Sequence, residues 1–418
     1  MKVLVVDIYN NGLFAAHKLA NQYPLISKVI LVSEFVRTSM WESEKLTIVQ
    51  DRMSVDDIVS LAKKEEVDLV INFSSLYGKG GLKELLADNN IDCVGSGKKF
   101  SETETNKRLF RYWVKEKGFK SPDIIFEGYY DDVIEKCDDL SYPLVIKPDS
   151  QIGPTVQPCF SPEDLRNYLV TTIERVPYAR NAILFMLEEF IPLLDELYVT
   201  YFVCGGEVTI WETNRLPHSW KSRRDAGECA YALVPNPNFE PYKAEITRYL
   251  SEFKELADNT VGIVQCGVAE DRSLYFIESN ARPPTAAFGM FDDPLSVLVA
   301  LRDGDSATLT KSLSVVDSSG AAIALMHHAD SIEVDVELLS GLEGFSYWPN
   351  SVEKEDGLYR SYKRGAPSFL YVYGSTIEEV VTKLSQNLHL IEQAGDFLKI
   401  IPQSIVDLYE GQGGAAAV

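Results

Sequence analysis

The sequence predicts a multidomain protein that mixes α/β and α+β architecture, on three observations. At 418 residues the chain is longer than one hydrophobic core usually serves. Its N-terminal quarter alternates strand-like and helix-like segments, the pattern of a parallel sheet with crossover helices. Residues 260–282 read as two short alternating strands around a turn, which is antiparallel pairing.

In order, a strand from Val3 to Asp7 precedes a helix from Gly12 to Gln22, a strand from Val29 to Val32 and a helix from Val55 to Lys64. A strand from Asp68 to Phe73 and a helix from Gly80 to Asp88 follow. The turn Asp7-Ile-Tyr-Asn-Asn-Gly12 lacks the GxGxxG spacing that lets backbone approach a pyrophosphate, so no nicotinamide site is expected there. Ser101-Glu-Thr-Glu104 has the form of a capping box and opens a helix to about Lys117, ended by Gly118 and Pro122. On that helix Lys107, Arg108 and Arg111 read as exposed cations.

Tyr142-Pro-Leu-Val-Ile-Lys-Pro148 is an apolar strand carrying Lys147 near its end. The loop after it, to Pro158, leads to a helix that Ser161 caps and Pro162 enters at the first position. Ile183 to Ile191 is another strand, with Glu188 and Glu189 near its end and Glu196 shortly beyond. After the hairpin, a helix from Pro294 to Arg302 closes the central region. Strands near Ala321 to Met326 and Phe369 to Tyr373, with a helix from Thr376 to Gln393, read as a separate appendage. The expected organisation is an N-terminal α/β domain over 1–100, a central domain over 101–310 with a lid over 123–187, a C-terminal α/β domain over 311–410 and a flexible tail over 411–418.

Composition narrows the function classes. The net charge is −22, which argues against nucleic acid and anionic membrane as partners, because both need a basic footprint. A nucleotide stays compatible with it, since a few local cations dominate inside a cleft. No apolar run approaches 18 residues and the first residues enter a strand directly, so neither a transmembrane helix nor a signal peptide is expected and the location is expected to be cytoplasmic. Six cysteines show no CxxC pair and no His at zinc spacing, the usage of reduced structural thiols.

The chemistry concentrates in the hairpin. Glu278 and Asn280 lie two residues apart on its second strand and point to one face, Arg282 follows, and Gln265 sits on the first strand. Such oxygen donors suit Mg²⁺, which is held by one or two carboxylates while substrate phosphates and waters complete the octahedron. Taken alone, the set also fits an ordinary polar strand end. A second cluster, Arg215, His218, Lys221, Arg223 and Arg224, gathers cations in a strongly acidic chain. Its arginines suit a substrate carboxylate and His218 suits proton handling, while the plain alternative is a solvated charged loop.

The ordered set Val145-Ile-Lys-Pro148, Glu188-Glu189, Glu196, Gln265 and Ile277-Glu-Ser-Asn-Ala-Arg282 resembles the ATP-grasp superfamily over about residues 1–310. The resemblance implies an ATP-grasp fold with an N-terminal parallel-sheet domain, a lid subdomain, a central α+β subdomain and a C-terminal α/β appendage. It implies that ATP is held between two α+β subdomains, with Lys107 and Lys147 on its phosphates, Glu188 and Glu189 at the adenine hinge and Glu196 at the ribose. Gln265, Glu278 and Asn280 match its metal positions for Mg²⁺, or Mn²⁺, and Arg282 its stabiliser of transferred phosphate. Two departures stand out. The loop after Lys147 contains only Gly153 and two prolines where the family is often glycine-rich, and Gln265 replaces a carboxylate.

The activity implied is that of a carboxylate–amine ligase acting through an acyl phosphate, on small-molecule acid and amine substrates. Cys93-Val-Gly-Ser-Gly97 resembles the glycinamide-ribonucleotide synthetase and carbamoyl-phosphate synthetase group, but Arg282 continues into Pro-Pro-Thr rather than Gly-Asp-Pro-Glu. The appendage, with Leu370-Tyr-Val-Tyr-Gly-Ser-Thr before its helix, looks more like the amino-acid ligases that form dipeptides. Alternatives are a ligase of the glycinamide-ribonucleotide synthetase kind and an ATP-binding sensor without catalysis, and a homodimer is the assembly to consider.

Overall fold

A computed structural model describes residues 1–7, 12–34, 43–149, 156–175, 177, 179–215, 230–235, 239–253, 259–283, 293–314, 321–326, 331–348, 352–355, 358–362, 369–374 and 376–395. The N-terminal strands β1 (Lys2–Asp7), β2 (Lys28–Ser33), β3 (Leu46–Val49), β4 (Leu69–Asn72) and β5 (Asp92–Val94) form a parallel sheet in the order β3-β2-β1-β4-β5. Nearly every residue of β1 and β2 is buried, because helices cover both faces of the sheet. Helix α1 (Leu13–Gln22) and the distant helix Pro294–Asp303 cover one face, while α2 (Val55–Lys64) and α4 (Leu82–Asp88), which follows the short α3 (Ser75–Lys79), cover the other. Gly12, at the entry to α1, has no room for a side chain: a Cβ there would meet Val5 Cγ1 at 2.7 Å.

The single helix expected from Ser101 is two helices, α5 (Lys98–Thr105) and α6 (Lys107–Glu116). Asn106, with extended backbone, breaks them and caps α6, its Oδ1 accepting the Leu109 N–H at 2.9 Å. Ser101 is therefore not a cap; it is buried in mid-helix, its hydroxyl 2.7 Å from that of Ser96.

The lid sheet contains β6 (Ile124–Gly128), β7 (Leu144–Pro148), β8 (Gln157–Cys159) and β9 (Phe185–Glu189), antiparallel in the order β6-β9-β7-β8. Leu144, Ile146, Phe185 and Leu187 pack on α7 (Tyr130–Lys136) and α8 (Pro162–Arg175), and Ser161 caps α8 as expected, accepting from the Asp164 N–H at 3.2 Å. This sheet runs two residues past the lid boundary read from sequence, so Glu188 and Glu189 belong to the strand beside Lys147.

The central sheet contains β10 (Leu193–Cys204), β11 (Glu207–Arg215), β12 (Ala230–Pro235), β13 (Thr260–Ala269) and β14 (Leu274–Asn280). Beneath it, helix Lys243–Phe253 packs Tyr249 on Phe276, the rings stacked with centroids 3.8 Å apart. The C-terminal region adds β15 (Ala321–Met326), β16 (Ser331–Val334), β17 (Phe345–Trp348), β18 (Val352–Glu355), β19 (Leu358–Tyr362), β20 (Phe369–Gly374) and helix Ile377–Ala394. The expected strands and helix of the appendage are there. Its described strands pair antiparallel, and β15 pairs with β12, so one sheet runs β14-β13-β10-β11-β12-β15-β20-β17 across both regions. The join covers the edge that β12 would otherwise leave open. Among the described residues no helix is long and apolar enough to cross a membrane, and Cys93, Cys137, Cys159, Cys204 and Cys266 are free thiols.

Candidate functional site

The hairpin forms as the alternation predicts, with one face in the core and one polar. Val264, Cys266, Val268, Leu274 and Phe276 are buried in the aromatic cluster under the sheet. On the opposite face the register sets Tyr198 of β10 beside Gln265 of β13, and Gln265 beside Glu278 of β14. Glu196 lies two residues before Tyr198 and Asn280 two residues after Glu278, so all five occupy one face of three adjacent strands. Between Gln265 and Cys266 the pairing steps from Glu278 to Phe276, leaving Ile277 as the extra residue of a bulge. Bulges of this kind re-aim side chains beside functional sites.

The donor set fits Mg²⁺ on its chemistry: one carboxylate from Glu278 flanked by amide oxygens from Gln265 and Asn280, with the rest of an octahedron left to substrate phosphates and water. Among the described residues no group of three His, Cys, Asp or Glu side chains could hold a metal alone.

Arg111 ties the lysine end of the lid to the hairpin, donating both to Glu188 and to the Ile277 carbonyl. Lys147 is buried near the end of β7, opposite Met186, with Nζ 2.7 Å from Glu188 Oε2. Burial pulls the Lys147 ammonium down and Glu188 pushes back up, while Arg111 and Lys107 add further positive charge; the balance is lowered. Burial pushes Glu188 up, but Arg111 and Lys147 outweigh it and hold its carboxyl at about 2. Arg111 grips the same carboxylate with Nε and, at 3.2 Å, with Nη2. Lys107, in the first turn of α6, is close enough for its charge to reach Lys147, so the two lysines predicted for phosphate lie in one electrostatic neighbourhood.

Arg282 follows β14 and is held by Glu104 of α5, whose Oε1 accepts from Arg282 Nε at 2.9 Å and whose Oε2 accepts the Ala281 N–H at 2.7 Å. Burial works against the charge on Arg282, but Glu104, then Tyr198 and Glu278, more than compensate, so its pKa is raised. Arg282 Nη2 also lies 3.4 Å from Asn280 Oδ1.

One sequence expectation changes. Arg111, read as an exposed cation, is 1% exposed, because α6 buries the face on which Phe110 and Val114 also lie. The Glu188 carboxylate, expected at the adenine hinge, is engaged by Lys147 and Arg111. Glu189 ends β9 and accepts from the Asp123 N–H at 3.0 Å. The sequence reading also missed Glu104 and Tyr198. Arg215 ends β11, where the register sets its neighbour Asn214 opposite Tyr198. His218, Lys221, Arg223 and Arg224 lie outside the described residues, as does most of the glycine-poor loop after Lys147.

No family model matches the chain. A curated relative, phosphoribosylamine–glycine ligase of Fusobacterium nucleatum, is 24% identical over 361 residues, covering 81% of this chain and 82% of its own. Among solved structures, an L-amino acid ligase from Bacillus licheniformis superposes with a TM-score of 0.67 at 14% identity, over 96% of this chain and 99% of its own. The biotin carboxylase domain of the Hydrogenobacter thermophilus 2-oxoglutarate carboxylase, solved with MgADP and bicarbonate, gives 0.66 at 15% identity over 99% and 95%. The chain has the ATP-grasp fold. Its relatives and structural neighbours are ATP-grasp ligases, as the ordered lysine, acid and hairpin motifs led one to expect.

Proposed function

We propose that this ATP-grasp protein is an ATP-dependent carboxylate–amine ligase that forms an amide bond through an acyl phosphate, with amino acids as its acid and amine substrates. The observation that carries the proposal is the pairing of two surfaces. Arg111 bonds both the Glu188 carboxylate that pairs with Lys147 and the carbonyl of Ile277, next to Glu278 on the strand whose face, with its neighbours, bears Glu196, Tyr198, Gln265, Glu278 and Asn280.

In the proposed reaction a substrate carboxylate oxygen attacks the γ-phosphorus of ATP and ADP leaves. The amine then attacks the acyl carbon, and phosphate departs with the carboxylate oxygen. A free carboxylate is a poor acylating agent, and activation as an acyl phosphate removes that barrier. Lys107 and Lys147 would hold the phosphates, Glu189 the adenine edge and Glu196 the ribose hydroxyls. Gln265, Glu278 and Asn280 would hold Mg²⁺, which would neutralise charge on the β- and γ-phosphates. Arg282, fixed and kept charged by Glu104, would stabilise the transferred phosphoryl group. Arg215, Arg223 and Arg224 are the proposed carboxylate contacts and His218 the proposed proton acceptor from the amine. Closure of the lid would exclude water from the acyl phosphate.

A second reading, a ligase that joins glycine to phosphoribosylamine, is favoured by the curated relative that matches over most of both lengths. Against it stands the Arg282-Pro-Pro-Thr continuation. Incubation with ATP, Mg²⁺ and pairs drawn from a panel of amino acids, with a parallel arm of phosphoribosylamine and glycine, tests both. Release of ADP and phosphate that depends on an amino-acid pair supports the first reading, and release only in the parallel arm supports the second. Tight ATP binding without turnover in any arm would make the protein a sensor.

A further inference from the structure

We propose that Arg111 is a positioning residue that locks the phosphate lysine of the lid to the metal-side strand, so that the two halves of the nucleotide site are set by one side chain. The inference rests on reading Lys147 as a phosphate contact and Glu278 as a metal ligand.

The geometry is specific. The Arg111 guanidinium is 1% exposed and divides its donors between two elements. Toward the lid, Nε and Nη2 bind the Glu188 carboxylate, whose Oε2 is also 2.7 Å from Lys147 Nζ. Toward the hairpin, Nη1 donates to the backbone carbonyls of Ile277, the bulge residue, and of Phe276 at 3.3 Å. The next residue is Glu278. A planar fork can reach a carboxylate on one side and carbonyls on the other at once; an ammonium, a point charge on a flexible stem, cannot keep both sets. Neighbouring contacts make α6 a strut between the same parts: Arg108 N–H meets Asp149 Oδ1 at 3.4 Å, two residues past Lys147, and Arg108 Nη1 meets Glu127 of β6 at 3.3 Å.

A bulge lacks the regular ladder bonds that fix a strand, so its carbonyls need another partner. Arg111 supplies one, and the same charge holds Glu188 ionised against Lys147. Loss of Arg111 therefore acts on two separable quantities: affinity for ATP phosphates through Glu188 and Lys147, and the demand for Mg²⁺ through the aim of Glu278.

The test compares Arg111→Met and Arg111→Lys with the wild-type protein. ATP affinity is read by calorimetry without acid or amine substrate, at fixed Mg²⁺ and across a Mg²⁺ series, at a temperature where circular dichroism shows the variants folded. Arg111→Met is expected to weaken ATP about tenfold and to raise the Mg²⁺ concentration at half-saturation, since hydrogen bonds to charged groups are worth about that factor or more. Arg111→Lys is expected to recover most of the ATP affinity at high Mg²⁺, through Glu188, but not the Mg²⁺ demand. In a Glu188→Gln background the ATP effect of Arg111→Met should shrink, because both substitutions remove one link.

A merely structural Arg111 would lower the folded fraction and leave affinity and Mg²⁺ demand of the folded protein unchanged, and that result overturns the proposal. If Arg111→Met does not fold, Arg111→Lys decides: wild-type Mg²⁺ demand in that variant overturns it equally. A wild-type protein that binds no ATP would instead defeat the underlying reading of the site.

Discussion

Replacing Glu188 by Gln keeps the shape of the side chain, removes its charge and turns one of its two accepting oxygens into a donor that faces a cation, and the structure gives the cost. The carboxylate is 1% exposed, lies 2.7 Å from Lys147 Nζ and accepts from Arg111 Nη2 at 3.2 Å. Burial alone would raise its pKa, yet the two cations hold it at about 2 against an ordinary 4.5. Because the folded-state value is depressed, the contribution of the charge is full above pH 4.5 and is lost as pH falls toward 2. Its size follows from the charges it would strand, since leaving buried charges without their partner costs about 3–5 kcal/mol. Here Arg111 and Lys147 would be the stranded charges, at 1% and 8% exposure. Urea unfolding at pH 7, followed by circular dichroism and tryptophan fluorescence, should therefore show Glu188→Gln destabilised by about 3 kcal/mol. The gap to wild type should narrow steadily between pH 4.5 and 2. A gap below about 1 kcal/mol at pH 7, or one that does not change with pH, would refute the ion cluster as drawn.

Other outcomes follow from the same site. Glu278→Gln and Asn280→Ala should slow phosphate release by about a hundredfold or more while leaving the circular dichroism spectrum intact, since they remove oxygen donors rather than core; wild-type rates at saturating Mg²⁺ would remove them from the metal site. Lys147→Ala should weaken ATP more than AMP in calorimetric titration, because its ammonium is assigned to phosphate, and equal losses would move it elsewhere. Glu104→Gln should lower kcat about tenfold with little change in the KM for ATP, since a charged hydrogen bond that fixes Arg282 is lost; a change in KM for ATP alone would place Arg282 on the bound nucleotide instead.

The hairpin was legible because a period-2 alternation fixes which residues share a face, and that is enough to group Gln265, Glu278 and Asn280. The place of Lys147 near the end of a strand was legible because an apolar run closed by lysine and proline marks a strand end; its burial against Glu188 was not. The N-terminal sheet showed itself through its buried strands, while the short β3 and β5 gave too few residues for a pattern. Arg111 carried a readable signal that charge alone concealed: with Phe110 and Val114 it lies on the buried face of α6, at helical spacing from Lys107. Its partners could not be read, because Glu188 and the Ile277 carbonyl are distant in sequence and meet only through packing. The helix break at Asn106 was hidden by the capping-box form of Ser101 to Glu104, whose glutamate proves to serve Arg282 instead. The joining of the C-terminal strands to the central sheet depends on a long-range pairing between β12 and β15 that no local pattern encodes.

The proposed reaction turns on one step, attack of a substrate carboxylate on the γ-phosphate of ATP to give an acyl phosphate. With the acid and amine pair that yields turnover, the acid is supplied with ¹⁸O in its carboxylate and the released phosphate is analysed by mass spectrometry. One ¹⁸O is expected in each phosphate released, with ADP as the nucleotide product, because the attacking oxygen leaves with phosphorus when the amine displaces it. Unlabelled phosphate during amide formation, or AMP and pyrophosphate as products, would contradict that step.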